Sequence, residues 1–185
     1  MEVVMLQGKR IFLGPMERGM MDKLLKWFND GEVMQYIAVY LPMTEMAEEK
    51  WLEALGTTRK NTDTVFVIYV LDGENKIPIG TCGIHNIDWK NRDAEIGIAI
   101  GEKKYWSNGY GSEGIKLLID YAFNQLNLRR ISSRAYCFNV KSVRMHFRLG
   151  AELEGILREA VFKNGRYQDV LCFGILRSEW KKNRK

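Results

Sequence analysis

The stretch AEIGIAIGEKKYWSNGYGSEGIKLL, residues 94–118, joins a run with the character of a strand to a run with helical spacing. The turn between them carries three glycines, Gly109, Gly111 and Gly114. A glycine inside a helix costs about 1 kcal/mol relative to alanine. Glycines repeated at a helix start therefore indicate a sharp turn, or a ligand that contacts the bare backbone.

The residues after this turn predict a helix that faces the core. Its apolar side chains are spaced by three and four residues, at Ile115, Leu118, Ile119, Ala122, Phe123 and Leu126. A helix start presents unpaired N–H groups and partial positive charge, which favour a phosphate. The stretch is neither a Walker A loop nor a GxGxxG motif. A phosphate site and a tight turn without a ligand both remain open at this point.

Periodicity and turn residues along the chain predict a mixed α/β (α+β) fold. The expected order is β-α-α-β-β-β-α-β-α-β-β, or six to seven strands and about four helices around one central, mainly antiparallel sheet. The two N-terminal helices are expected over 16–29, ended by Asn29-Asp30-Gly31, and over 41–56, with Thr44 as the N-cap. No repeat or linker divides the sequence, so we expect residues 1–185 to form one domain.

Composition and charge exclude several classes of protein. Hydrophobic residues make up 46% and charged residues 28% of the chain, as in a soluble globular domain. The net charge of 28 − 23 = +5 lacks the aromatic and basic interleaving of a nucleic-acid site, so no nucleic acid is expected. Three distant cysteines without a CxxC pair argue against a metal site and favour a reducing cytoplasm. No apolar run approaches the roughly 20 residues of a membrane span.

Two motifs resemble the Gcn5-related N-acetyltransferases (GNAT). Residues 106–111 match the pattern (Gln/Arg)-x-x-Gly-x-(Gly/Ala) between a strand and a helix, with Trp106 in place of Gln/Arg. This departure resembles the branch of the ribosomal-protein serine and alanine acetyltransferases, where YW-x-x-GY is common. The stretch NVKSVRMHFRLGAELEG, residues 139–155, resembles the family's Asn-x-x-Ser/Ala…Leu-Gly-Phe helix, with Ala151 in place of Phe.

The resemblance implies acetyl-coenzyme A (acetyl-CoA) as donor and a primary amine as acceptor. The pyrophosphate would then lie on the backbone of Ser107, Asn108, Gly109, Tyr110, Gly111 and Ser112. The pantetheine arm would run like an added strand beside Ile98, Ala99 and Ile100, with the acetyl carbonyl near Ala99. Asn139 and Ser142 would touch the arm, although Asn139 is equally suited to cap its helix.

An amine attacks a thioester only after it has lost its proton, so a base is needed. The resemblance implies Glu95, which stands fourteen residues before Gly109 in an AEI segment, as in the histone-acetylating branch. The alternative is a solvent-facing carboxylate, or one paired with Arg92 or Arg129.

The acid that protonates the leaving thiolate has two candidates. His146 stands where many relatives carry a tyrosine, and Tyr136 is the substitute. The alternative for His146 is a half-buried helix histidine beside Phe147. For His85, a capped or edge histidine is favoured over a substrate role.

The acceptor is the least determined feature of the sequence. The branch resemblance favours a protein N-terminal amine, and a polyamine or an amino sugar (including aminoglycosides) remains an alternative. Aromatic and acidic residues of the N-terminal helices could receive it: Trp27, Phe28, Tyr36, Tyr40, Trp51, Glu32, Glu45, Glu48 and Glu49. A regulatory module that binds coenzyme A without turnover is the alternative of another class. Homodimers are common among such relatives, but no feature of this sequence fixes the assembly.

Overall fold

Eight strands form a single sheet in the computed structural model, which describes residues 6–57, 62–73 and 75–182. Its spatial order is β1-β2-β3-β4-β5-β6-β8-β7. The strands are β1 (Leu6–Gln7), β2 (Ile11–Pro15), β3 (Thr64–Asp72), β4 (Asn75–Asp88), β5 (Asp93–Ile100), β6 (Arg130–Tyr136), β7 (Glu152–Lys163) and β8 (Arg166–Leu176). Every neighbouring pair is antiparallel except β5 and β6, which are parallel.

Within the described ranges, six helices connect or flank these strands. They are α1 (Met21–Phe28), α2 (Gly31–Met34), α3 (Glu45–Thr57), α4 (Tyr110–Asn124), α5 (Val140–Arg148) and α6 (Arg177–Lys182). Short 3-10 turns precede α1 and α4, at Arg18–Met20 and Lys103–Tyr105. None of the helices in the described part of the chain is long and apolar enough to cross a bilayer.

The mixed, mainly antiparallel sheet confirms the expected fold class, while the number of elements is slightly higher than expected. The additional elements are the two-residue β1, the one-turn α2 and the C-terminal α6. The sequence Asn29-Asp30-Gly31 was expected only to end a helix. It also starts the next one, because the Asp30 carboxylate accepts a hydrogen bond from Glu32 N at 2.9 Å.

Helix α4 packs on the sheet with the apolar stripe that the sequence predicted. Leu118, Ile119, Ala122 and Phe123 are buried, and the helix contacts β2, β4 and β5. This packing fixes the start of α4 beside the C-terminal end of β5, where the glycines lie.

Strands β5 and β6 are paired over only three residues. The ladder joins Asp93–Glu95 to Arg130–Ser132 and stops there, so the two strands separate toward their C-terminal ends. Because Gly101 N donates to Ile79 O and ladder bonds alternate, the peptide groups of Ile98 and Ile100 face the opening rather than β4. The result is a wedge between two strands, with an exposed row of backbone groups along one side.

Candidate active site

A cavity of about 500 Å³ occupies this opening and is called the wedge cavity below. It brings together most of the residues expected to hold the donor: Ile98, Ala99, Ile100, Ser107, Gly109, Gly111, Ser112, Asn139 and Ser142. Asn108 and Tyr110 belong to the same turn but are not among the lining residues. The expected donor residues therefore converge from β5, the start of α4 and the start of α5.

Gly109 differs from the other two glycines of the turn. It has φ +85°, a left-handed conformation in which a side chain is strained. At Gly111 and Gly114 a Cβ would make ordinary van der Waals contacts, at 3.7 Å or more and at 3.5 Å or more. Packing does not require glycine at 111, which favours a ligand at this position over a bare turn.

Arg10 holds the turn from behind. Its Nη1 donates to Asn108 O at 2.9 Å, its Nε donates to Glu113 Oε2 at 2.9 Å, and its guanidinium lies 4.5 Å from the centre of the Tyr110 ring. Partial burial alone would raise the pKa of Glu113, but hydrogen bonds from Arg10 and from Lys9 N lower it overall. Asn108 and Tyr110 thus stabilise the shape of the turn rather than line the cavity.

The contacts of the Trp106 side chain explain why tryptophan replaces the Gln/Arg of the family pattern at this position. Its indole N–H donates to Ile100 O at 2.7 Å, which ties the end of β5 to the turn. The ring also lines the wedge cavity, with Lys141 Nζ at 5.9 Å from the ring centre.

Three basic side chains of α5 line the wedge cavity and were missed by the sequence reasoning. Lys141, Arg144 and Arg148 are spaced by three and four residues and so share one helix face. Together with the unpaired N–H groups at the start of α4, they make a site for a polyanion. The signal that could have found them is this spacing within KSVRMHFR.

The position of Asn139 is compatible with both expectations, as the cap of α5 and as a contact for the donor arm. Its Oδ1 accepts a hydrogen bond from Ser142 N at 3.2 Å, which caps α5, and both residues line the wedge cavity.

A second cavity of about 530 Å³ lies on one face of the sheet and is called the sheet-face cavity. It shares Tyr36, Ile37, Ile98 and Ala99 with the wedge cavity, so the two spaces meet at Ala99. Its remaining lining residues come from α1, α3, the α2–α3 segment and strands β3 to β5: Phe28, Ala38, Val39, Met43, Glu48, Trp51, Val65, Thr81, Cys82, Gly83, His85 and Gly97. Two molecules bound in these cavities would therefore meet beside Ala99.

Three of the aromatic residues considered for the acceptor line this cavity, and two do not. Phe28, Tyr36 and Trp51 belong to its wall. Trp27 is a buried core residue whose indole N–H donates to Glu102 at 3.0 Å, and Tyr40 is largely exposed.

Glu48 is the only one of the four acidic candidates that lines the sheet-face cavity. Its side chain is 1% exposed, and Oε1 has no hydrogen-bond partner among the residues that the structure describes. Burial raises the pKa of this carboxyl group. Glu32 instead pairs with Lys103, while Glu45 and Glu49 are exposed.

Glu95 lies on β5, directly opposite His85 of β4. Its side chain is 31% exposed, and Oε1 is 3.6 Å from Arg134 Nε, a different arginine from the two considered in the sequence. Glu95 is not among the lining residues of either cavity, whereas His85 lines the sheet-face cavity.

His146 is buried in α5 and is among the lining residues of neither cavity. Its Nδ1 is 2.7 Å from Ser142 O, and its ring stacks on Phe173 with the ring centres 4.4 Å apart. Burial lowers the pKa of His146, with a smaller opposing effect from the Ser142 carbonyl. Tyr136 is half-buried beside Phe138, and burial raises its pKa.

No group of three or more His, Cys, Asp or Glu residues within the described ranges is arranged to hold a metal ion.

Comparisons with known proteins agree on one family. The family model of the acetyltransferase (GNAT) domain matches residues 10–152. The uncharacterized N-acetyltransferase p20 of Bacillus licheniformis is 31% identical over 175 residues, which cover 95% of this chain and 97% of that protein. The putative ribosomal N-acetyltransferase YdaF of Bacillus subtilis (strain 168) is 36% identical over 101 residues, 55% of each chain.

A solved structure also matches nearly the whole chain. It is the spermidine N-acetyltransferase of Vibrio cholerae in complex with CoA and spermine. The TM-score is 0.85 at 28% sequence identity, and the match covers 93% of this chain and 98% of that one.

Proposed function

The chain belongs to the GNAT acetyltransferase family, whose donor is acetyl-CoA, and we propose that it acetylates a primary amine of a polyamine. The N-acetyltransferase class follows from the family. The identity of the acceptor and the roles of the individual residues are the proposal.

The wedge cavity is the proposed donor site. The pyrophosphate would be held by the N–H groups of the turn between Ser107 and Ser112, with Lys141, Arg144 and Arg148 as counter-charges. The peptide group of Ile98 and the N–H of Ile100 face the opening and can pair with the amides of a pantetheine arm, whereas the Ile100 carbonyl already accepts from Trp106. These features fit a long polyanionic donor with an amide-bearing arm.

The sheet-face cavity is the proposed acceptor site, and Glu48 is the observation that carries the proposal. A carboxylate buried without a partner in an apolar cavity is costly unless a cation joins it. The cavity meets the donor site at Ala99, so an ammonium group held by Glu48 would leave another amine of the same slender molecule free to reach the acetyl group. The similar Vibrio cholerae enzyme, solved with spermine, supports this choice.

A protein N-terminal amine is the second candidate acceptor. The similarity to YdaF favours it, as does the branch resemblance of residues 105–110. An extended peptide would also need room beyond the sheet-face cavity, whereas a polyamine would not.

The proton-transfer roles remain as the family resemblance gives them. Glu95 is the base that the resemblance implies, and it stands four residues from Ala99 on β5, about 13 Å along a strand. At that distance it acts through an intervening group or water. His146 is the proposed acid and Tyr136 the alternative; the lowered pKa of His146 counts against a protonated imidazole at pH 7. The two candidates are separated with the variants His146→Gln and Tyr136→Phe. The variant that is impaired in protonating the leaving thiolate identifies the acid.

An acceptor screen tests the proposal. Release of free CoA thiol is followed with spermidine, spermine, a peptide with a free N-terminus and an amino sugar, each at equal concentration. The proposal expects the highest kcat/KM with a polyamine. A peptide turned over faster than either polyamine would transfer the assignment to the second candidate. Binding of acetyl-CoA without thiol release from any amine would instead indicate a regulatory module.

We also propose a homodimer in a reducing cytoplasm. Large apolar side chains stand exposed on α5 and the edge strand β7, among them Phe147, Leu153, Ile156 and Leu157. All three cysteines are free thiols. Sedimentation velocity tests the assembly, since a purely monomeric species at micromolar concentration would reject the dimer.

A further inference from the structure

His85 lines the sheet-face cavity, and two glycines make room for its ring. Gly83 of β4 and Gly97 of β5 are direct partners in the ladder, and both line the cavity. A Cβ on Gly83 would come within 2.6 Å of His85 Nε2, and one on Gly97 would lie 3.9 Å from the same atom. The imidazole therefore occupies the space above this glycine pair, with Nε2 over the sheet.

Asp63 holds the other side of the ring. His85 Nδ1 is 3.3 Å from Asp63 Oδ1. The carboxylate is itself fixed, because Oδ1 accepts from Asn86 N at 3.1 Å and Oδ2 accepts from Thr62 Oγ1 at 3.1 Å. A carboxylate can only accept, so it places the proton of a neutral imidazole on Nδ1 and leaves the lone pair on Nε2.

The position of the ring along β5 distinguishes it from Glu95. The ring lies over Gly97, which is two residues from Ala99, or about 7 Å along a strand. Glu95 is twice as far, and it stands opposite His85 on the neighbouring strand. His85 is therefore the titratable group on this face of the sheet that lies between Glu95 and the junction of the two cavities.

We propose that His85 is the general base for the acceptor amine, with Asp63 as its positioning residue. This proposal rests on the amine acetyltransferase function and adds a catalytic residue to it. Nε2 takes one proton from the substrate ammonium, which leaves a neutral amine and an imidazolium. The amine lone pair forms the C–N bond to the acetyl carbonyl carbon, the C–S bond breaks, and CoA leaves as the thiolate.

The remaining protons complete the balance. The acid gives its proton to the thiolate, the nitrogen of the new amide loses its second proton and so restores the acid, and the imidazolium returns its proton to solvent on the side of Glu95. Asp63 stabilises the imidazolium while it exists, as a carboxylate beside Nδ1 does in general. The net reaction releases one proton for each ammonium acetylated.

The decisive variant is His85→Gln, assayed by thiol release with whichever amine the wild-type protein acetylates. General-base catalysis contributes about 10²- to 10⁴-fold, so we expect kcat to fall at least 100-fold at pH 7. The affinity for acetyl-CoA, measured by calorimetry, should change less than twofold, because His85 is not a lining residue of the wedge cavity.

A pH series separates catalysis from a structural defect. As the pH rises from about 7 toward about 9.5, more of the amine is already neutral, so the deficit of His85→Gln should narrow. A merely structural role would leave the deficit constant. The other titratable groups facing the ring or its cavity, within the described residues, are Asp63, Glu95, Glu48, Tyr36 and Cys82.

Two further variants keep the proposal falsifiable if His85→Gln folds poorly. Gly83→Ala keeps the imidazole but pushes it off the sheet, and Asp63→Asn removes the carboxylate that sets the tautomer; both should lower kcat at least tenfold. Asp88→Asn is the control and should match the wild type, because the Asp88 carboxylate, on the same strand, is hydrogen-bonded to the Lys90–Asn91 turn.

The outcomes distinguish a failure of the proposed function from a failure of the His85 proposal. A wild-type protein that acetylates no amine refutes the proposed function itself. An active wild type with His85→Gln and Gly83→Ala at full kcat refutes His85 as the base and leaves the acetyltransferase function intact.

Discussion

Replacing Glu48 with glutamine should make the protein more stable and its acceptor site weaker. The carboxylate is 1% exposed, and its Oε1 has no partner among the described residues. An unpaired buried carboxylate destabilises the folded protein when no cation is bound. A bound cation relieves this cost, so the same group favours cation binding. Stability and acceptor affinity should therefore change in opposite directions in Glu48→Gln.

The size of the stability change follows from the burial. An unpaired buried polar group costs about 1–3 kcal/mol, and the amide of glutamine retains part of that cost. We expect the free energy of unfolding at pH 7 to rise by about 1–2 kcal/mol. For a chain of this size that corresponds to a Tm increase of about 2–8 °C.

The pH dependence of stability shows whether the Glu48 carboxyl group favours or opposes folding. Because burial raises the pKa of Glu48 in the folded state, its contribution favours folding at low pH and is lost as the pH rises through that raised pKa. Wild-type stability should decline over this range, and Glu48→Gln should lack this component. Chemical unfolding at several pH values measures both curves.

The effect of Glu48→Gln on acceptor binding is measured by steady-state kinetics. A charge-assisted hydrogen bond contributes about 1.5–3 kcal/mol, so KM for spermidine should rise about 10- to 100-fold with little change in the KM for acetyl-CoA. Glu49→Gln, one residue along α3 and exposed, is the matched control and should change neither quantity. A destabilised Glu48→Gln with unchanged KM would refute the reasoning, since the carboxylate would then be paired within the protein.

Three further predictions concern the residues around the two cavities. Arg10→Met removes the donor to the Asn108 carbonyl and should weaken acetyl-CoA binding about three- to tenfold by calorimetry, with unchanged affinity contradicting its role in shaping the turn. Lys163→Met frees the carbonyls of Met34 and Val39, which flank the segment shared by both cavities, so the amine KM should rise several-fold; an unaltered KM would show that the segment is held by other contacts. Glu95→Gln should lower kcat about tenfold at pH 7, less than His85→Gln, because it acts at a distance; a larger loss than in His85→Gln would make Glu95 the direct base.

The sequence predicted the sheet and the position of the glycine turn well because both rest on local patterns. The apolar stripe of α4 and the glycines before it lie within one continuous segment, and the structure places that segment as expected. Short elements were less accessible: Asp30 was interpreted as part of a helix stop, and only its hydrogen bond to Glu32 N shows the new turn of helix that it starts.

The sequence left the acceptor side open because it depends on contacts between distant parts of the chain. His85 acquires its surroundings from Asp63, which lies just before β3, and from Gly97, its neighbour across the β4–β5 ladder. Glu48 stands among several glutamates of α3, and nothing in their order identifies the buried one. Such pairings arise from the fold, so local sequence patterns do not reveal them.

The most direct test of the account is a calorimetric titration of acetyl-CoA into the wild-type protein and Gly111→Val. Glycine at 111 is not required by packing, so a side chain there should obstruct the donor phosphates while the fold persists. Gly155→Val, at an open position on β7, is the control. The account predicts one donor molecule bound per wild-type chain and per Gly155→Val chain, and at least a tenfold loss of affinity in a folded Gly111→Val. Equal affinity in all three proteins would contradict a donor site at the start of α4.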